Sequence, residues 1–283
     1  MPDAMDSPSL PDYENPPVVE TVLGVQFDRL SRVKNAHLGV FWKSLDANEW
    51  PTISEAPPIP PQFEQFEETA AWARALQLKL ARDPAGRLQI WNTDDDRAIQ
   101  VQGDRLHFNR LRRERTKFPP HEKVQDEFVS VLDRFKRFVA EEGLGEVQPN
   151  QWEVTYVYQI PQGTVWTTPA DWGFFRPLHA VPTVEGVIEG ESFDGEWHFT
   201  IPQQRGRLHI QWQHGKAASE GNENAGEDFV RITFTARGSI ADGGMSIRDG
   251  LDLGRATIVR SFESLMSDEA NQYWRLKNAS NNA

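Results

Sequence analysis

The sequence predicts an α+β protein built from a duplicated strand–helix–antiparallel strands–helix unit. The curved antiparallel sheet carries its long helices on one face. Three observations predict this: strand-length runs of alternating apolar and polar residues between turn signals, two long segments with an apolar stripe at helical period, and recurrence of the same order of elements in the second half.

Residues 1–12 are polar and rich in Pro, Asp and Ser, which predicts a flexible arm. Pro16 and Pro17 withdraw two backbone donors, so no helix crosses them, and Val22, Leu23, Val25 and Phe27 then read as the first strand. Leu38, Phe41, Trp42 and Leu45 supply an early helix. Ala56-Pro57-Pro58-Ile59-Pro60-Pro61 favours polyproline geometry; it reads as a stiff surface loop, with a PxxP ligand as the functional alternative. A meander follows: Leu76, Leu78 and Leu80; a turn at Asp83–Gly86; Leu88 and Ile90; a turn at Asn92–Asp96; Ile99 and Val101; a turn at Gly103-Asp104; Leu106 and Phe108. After Pro119-Pro120, the residues Val124, Phe128, Val131, Leu132, Phe135, Phe138 and Val139 form one helical face, which Gly143 ends.

The second half begins with a strand bearing Val154, Tyr156, Tyr158 and Ile160, and continues through a short aromatic helix or loop at Asp171–Phe175. Strands are expected near Trp197–Ile201, Leu208–Trp212 and Phe229–Ala236, then a helix carrying Ile247, Leu251, Gly254, Ile258, Phe262 and Leu265. Ser267 caps a last short helix bearing Trp274. The expected division is an arm (1–12), a first half (13–143), a second half (144–277) packed with it as one unit, and a flexible tail (278–283), with the join at 144–150. This topology is like that of TATA-binding-protein-like and helix-grip folds, an analogy of fold that carries no function.

The chain has 283 residues and a net charge of −12, and an acidic protein is repelled at long range by nucleic acid and anionic membranes. The complete lack of cysteine excludes disulfides, thiolate metal sites and a cysteine nucleophile. The opening residues have neither the basic nor the apolar region of a secretion signal, and no run reaches the ~20 apolar residues of a membrane span, so a soluble cytoplasmic protein is expected. The acidic, glycine-rich stretch Ser219–Asp228 is expected to be a mobile hairpin tip.

Asn15-Pro16-Pro17-Val18-Val19-Glu20 resembles the opening, Asn-Pro-Pro-(Ile/Val)-Val-Glu, of a sporadically distributed family of bacterial and archaeal proteins. Gln100-Val101-Gln102-Gly103-Asp104-Arg105-Leu106-His107-Phe108-Asn109 is similar to its Gln-x-Gln-x-Asp-Arg-(Leu/Phe)-x-x-Asn segment, although Arg110 stands where a tryptophan is usual. Phe118-Pro119, Glu153-Val154-Thr155-Tyr156-Val157, Arg207-Leu208, Ala236-Arg237-Gly238 and Leu251-Asp252-Leu253-Gly254-Arg255 extend the resemblance, with Tyr158 in place of a common Asn. It runs from about residue 13 to 274 and implies one globular unit with no assigned reaction or cofactor. The family's patchy distribution implies genes carried in mobile or defence-associated regions.

No catalytic signature is present. The histidines form no zinc-binding spacing, although His198 and His209 could meet on neighbouring strands near Glu196. There is no Gly-x-Ser-x-Gly elbow and no phosphate-binding or dinucleotide loop; Gly238, Gly243 and Gly244 read as a strand end and a turn, and Asp94-Asp95-Asp96 as a hairpin turn. No metal or cofactor is expected.

Three groups of candidates remain. The basic run Arg110, Arg112, Arg113, Arg115 and Lys117 could contact phosphate or an acidic partner, or be a solvated loop. Trp91, Trp152, Trp166, Trp172, Trp197 and Trp212 could form a stacking groove or fill the core; Trp172 and Trp212 are the ligand candidates, and Trp42 and Trp274 are assigned to the core. Glu20, Arg105, Glu153, Arg237 and Arg255 lie in or beside apolar elements, as an internal site or as structural ion pairs. The leading reading is a non-enzymatic recognition protein that uses the concave sheet face or the basic loop to bind a protein partner or an acidic ligand. The rivals are a small-ligand carrier or enzyme with a cavity between sheet and helices, lined by Glu20, Arg105, Glu153 and Arg237, and a nucleic-acid binder acting through the basic loop.

Overall fold

The computed structural model describes residues 9–64, 66, 86–113, 118–178, 191–216, 226–240 and 245–278. The strand expected at Leu76–Leu80, its following turn, most of the Ser219–Asp228 tip, Gly243, Gly244, Arg115 and Lys117 lie outside the described residues.

The fold is mixed α+β, with a large antiparallel sheet and four α-helices. In chain order the elements are β1 (Asp12–Tyr13), β2 (Val18–Phe27), α1 (Asn35–Ser44), β3 (Thr52–Ala56), β4 (Arg87–Trp91), β5 (Arg97–Gln102), β6 (Arg105–Leu111), α2 (His121–Glu141), β7 (Pro149–Pro161), β8 (Asp194–Ile201), β9 (Gly206–Lys216), β10 (Asp228–Ser239), α3 (Ile247–Leu265), α4 (Asp268–Tyr273) and β11 (Leu276–Asn278). Nine strands form one sheet in the order β3-β4-β5-β6-β2-β7-β10-β9-β8. β1 and β11 form a separate two-stranded ladder that joins Asp12 to Asn278, residues the sequence placed in the arm and the tail.

Alternation along the strands sorts the sheet into two faces. Leu23, Val25 and Phe27 of β2, Trp152 and Val154 of β7, and Ile232 and Phe234 of β10 are buried on one face. α2 packs against β6 and β2 there, and α3 against β7 and β10. α2 earns this place with the stripe Val124, Phe128, Leu132, Phe135, Phe138 and Val139, all buried, each large side chain contributing about 1.5–3 kcal/mol. The turn after α2 needs a left-handed residue, and Gly143 supplies it at φ +63°. Ser246 and Ser267 cap α3 and α4 by accepting the Asp249 and Ala270 backbone N–H groups. No helix among the described residues is long and apolar enough to cross a membrane.

β3 was not foreseen. Four of its five residues are exposed at the sheet edge, so it lacks the alternation by which a half-buried strand is recognised.

Candidate functional site

The opposite face of the sheet, which carries no helix among the described residues, is polar, and much of it is nonetheless buried. Register places its side chains in rows across the strands. One row runs Gln102 (β5), Arg105 (β6), Gln26 (β2), Gln151 (β7). The next runs His107 (β6), Gly24 (β2), Glu153 (β7), Arg237 (β10), Arg207 (β9). A third holds Thr155, Thr235, His209 and His198.

A strap, residues 57–64, crosses these rows. Gln102 accepts from the Ile59 N–H (2.9 Å) and donates to the Ile59 carbonyl (2.8 Å). Gln26 does the same to Gln62, at 3.2 and 2.6 Å. Gln151 donates to the Gln62 carbonyl (2.7 Å) and accepts from the Glu64 N–H (3.1 Å). Arg105 donates to Gln26 and reaches the Pro60 carbonyl. The proline-rich segment is therefore a surface loop whose backbone the sheet face grips.

The strap ends in a charged pocket. Glu64 accepts from Arg207 Nη1 (2.5 Å) and Arg237 Nε (2.8 Å), and its Oε1 lies 2.7 Å from His209 Nε2. Arg237 also donates to the Gln62 side chain, and the Phe66 ring lies 4.9 Å from the Arg207 guanidinium. His209 Nδ1 is 2.7 Å from His198 Nδ1. Burial is the largest influence on the Glu64 carboxyl and opposes its charge, but His209, Arg237 and Arg207 together hold it below the usual carboxylate range. Beside it, Glu153 Oε1 is 3.3 Å from His107 Nε2, and Glu153 Oε2 is 3.6 Å from Arg237 Nη1. His107 Nε2 and Glu153 Oε2 complete no hydrogen bond among the described residues. Burial likewise opposes the Glu153 charge, and His107, Arg105 and Arg237 outweigh it and lower its pKa. A cleft of about 520 Å³ opens here between the strap and the sheet, reaching Thr233, Thr235, His198 and Glu196.

Gly24 makes the His107–Glu153 contact sterically possible. It lies between them on β2, and a Cβ there would stand 2.3 Å from His107 Cδ2.

Arg105, Glu153 and Arg237 thus come together, as members of one sequence-singled cluster. Glu20 lies farther along the same face, accepting from Asn109 Nδ2 at 2.6 Å. Arg255 belongs to α3 on the other face, where it bonds the Tyr156 side chain. A lining of Glu20, Arg105, Glu153 and Arg237 for a cavity between sheet and helices is corrected by this placement, because these side chains point away from the helices. Of the basic run, Arg110 pairs with Asp96 (2.8 Å), Arg112 donates to the Pro16 carbonyl (2.7 Å), and Arg113 donates to the Asp95 carbonyl. Trp172 and Trp212 are only 2% and 5% exposed, within an aromatic cluster that includes Trp166, Phe193 and Trp197. Their rings are turned inward, away from any surface groove. A second hollow of about 1200 Å³ lies between β8–β9 and α3–α4, with Phe199, Ile201, Leu208 and Ile210 in its wall. No group of three or more His, Asp or Glu side chains among the described residues could hold a metal ion.

Sequence reasoning missed Gln26, Gln62, Glu64 and Gln151. Gln102, His107 and Arg207 were noted only as parts of motifs, and His209 only as a neighbour of His198. Glu64 sits in an ordinary acidic stretch, and nothing local reveals that it folds onto arginines about 140 to 170 positions away. No protein-family model matches the chain, and no curated protein or solved structure matches it either.

Proposed function

We propose that the chain is a recognition module that binds a carboxylate-bearing ligand on the face of its sheet opposite α2 and α3. One observation carries this reading. Arg105, Arg207 and Arg237 are 3%, 8% and 8% exposed and face one cleft, yet the carboxylate that partners Arg207 and Arg237 most closely comes from the strap rather than from the sheet. Burying guanidinium groups costs several kcal/mol unless anions meet them. On the sheet, Glu153 acts on Arg105 and Arg237 but stands 3.6 Å from Arg237 Nη1, so Arg237 loses its closest carboxylate wherever Glu64 leaves.

The architecture agrees with an internal duplication of the TATA-binding-protein-like kind. β2 and β7 pair antiparallel at the centre, and on each side the chain runs out to the edge and returns strand by strand before a long helix. Polar residues of the strand segments that carry the family resemblance, Glu20, Gln102, Arg105, Glu153, Arg207 and Arg237, share the face opposite α2 and α3, which fits a binding surface. The basic run contributes less to an acidic-partner or nucleic-acid reading, since Arg110, Arg112 and Arg113 are bonded to this chain's own acceptors. The hollow by α3 and α4 supports a second reading, an apolar small-ligand site between sheet and helices.

Replacing Glu64 by Ala tests the lead. Acetate or succinate at about ten times its dissociation constant should raise the melting temperature of Glu64→Ala by about 2–4 °C over chloride of equal ionic strength. The gain should vanish in Glu64→Ala/Arg237→Ala. A carboxylate effect no larger than that of chloride overturns the proposal.

A further inference from the structure

We infer that the ligand of this face is an extended acidic peptide segment of another protein, and that the strap is its built-in competitor. The inference rests on the proposed function and adds what the glutamine row reveals. A site for a free carboxylate needs only the arginines and His209. Here three glutamines, on β5, β2 and β7, stand in one row with Arg105, and all four address the main chain of the strap. A glutamine amide is a copy of the peptide group, and its paired N–H and C=O meet those of Ile59 and Gln62 as a neighbouring strand would.

The spacing fits an extended chain laid across the strands. From β5 to β7 is three strand intervals, about 14 Å at ~4.8 Å each. Ile59 to Glu64 is five residues, about 15.5 Å at the ~3.1 Å rise of polyproline II. Pro57, Pro58, Pro60 and Pro61 hold that geometry in advance, which lowers the ordering cost of docking. Main-chain contacts do not read side chains, so a different polypeptide with a carboxylate at the position of Glu64 would satisfy the same groups. The cleft of about 520 Å³ between strap and sheet, walled also by Thr233, Thr235 and His198, adjoins this track.

The probe is a fluorescein-labelled peptide with the sequence of residues 56–66, titrated by anisotropy into the full chain. The tethered strap competes at an effective concentration in the millimolar range. Glu64→Ala should therefore bind the peptide at least tenfold more tightly than the wild type. Changing the peptide's own glutamate to glutamine should weaken binding about tenfold. Methylating the peptide nitrogen equivalent to that of Glu64, which donates to Gln151, should also weaken it severalfold while leaving its carboxylate intact. If Glu64→Ala fails to fold, Glu64→Gln keeps the side-chain volume and serves the same comparison.

If the variant responds to acetate but binds peptide no better than acetate, or binds the N-methylated peptide equally well, the peptide inference falls and the carboxylate reading stands. If it responds to neither, both fall. A Glu64→Ala protein that dimerises by exchanging straps, seen as a doubled mass in light scattering, would make a second copy the occupant and also overturns the inference.

Discussion

His107 sits where three arginines and one carboxylate compete for the state of a buried ring. Burial is the main force, and with Arg105, Arg87 and Arg237 it outweighs Glu153 and moves the imidazole pKa from 6.5 down to about 4. The unfolded chain therefore takes up a proton that the folded chain refuses. The resulting stability is complete above pH 6.5 and is lost as the pH falls to about 4, a change of about 3 kcal/mol. The difference in unfolding free energy between wild type and His107→Gln, measured in urea, should grow by that amount from pH 4 to pH 7; a flat difference would refute this account of the ring. Gly24 is the steric half of the same arrangement. Gly24→Ala should cost about 1–3 kcal/mol by driving a methyl into the imidazole, and Gly24→Ala/His107→Ala should recover most of that loss. Additive losses in this cycle would show that the two residues do not meet. The charges Arg105, Glu153 and Arg237 were legible in the sequence because they interrupt apolar runs. His107 was not, since a histidine between Leu106 and Phe108 is equally well explained as ordinary packing.

α2 and α3 were legible as elements because an apolar stripe at helical period belongs to the element itself. The strap was not, because what makes it an element is three glutamines supplied by strands far along the chain, at positions 26, 102 and 151. α3 also owes its closeness to the sheet to features that periodicity cannot weigh. Gly250 and Gly254, one turn apart, lie over the Trp152 indole; a Cβ at Gly250 would be 2.4 Å from Trp152 Cδ1, and one at Gly254 2.9 Å from Trp152 Cζ3. Elsewhere in a helix, Gly→Ala gains about 1 kcal/mol. Here each substitution should destabilise by about 1–3 kcal/mol, because the fully buried indole has no room to retreat. Denaturant midpoints decide it: a stabilised Gly250→Ala would mean that α3 can lift from the sheet without loss.

At the scale of the whole molecule, residues 13–143 are tied to residues 144–277 at several places. β2 and β7 pair along Val18–Phe27 at the middle of the sheet. The strap leaves the first half and inserts Glu64 between Arg207 and Arg237 of the second. The start of the chain docks on its end: β1 pairs with β11, and the Tyr13 hydroxyl donates to Asn271 Oδ1 at 2.7 Å while its ring meets Phe262 edge-on. The sequence, whose pattern reads as two repeated halves, shows none of these ties, since each joins residues that only the fold brings together. Their physical consequence is shared cooperativity. Separating the halves would bare the ten-residue edge of β2, buried on both sides in the sheet, and leave the arginine pocket without Glu64. Neither half should hold an independent equilibrium. Urea unfolding followed by far-ultraviolet circular dichroism should coincide with that followed by tryptophan fluorescence, whose reporters lie in both halves, and the calorimetric and van't Hoff enthalpies should agree. Two resolved transitions would show that the β2–β7 pairing is a docking interface between separately stable bodies, and would make the strap the main link between them.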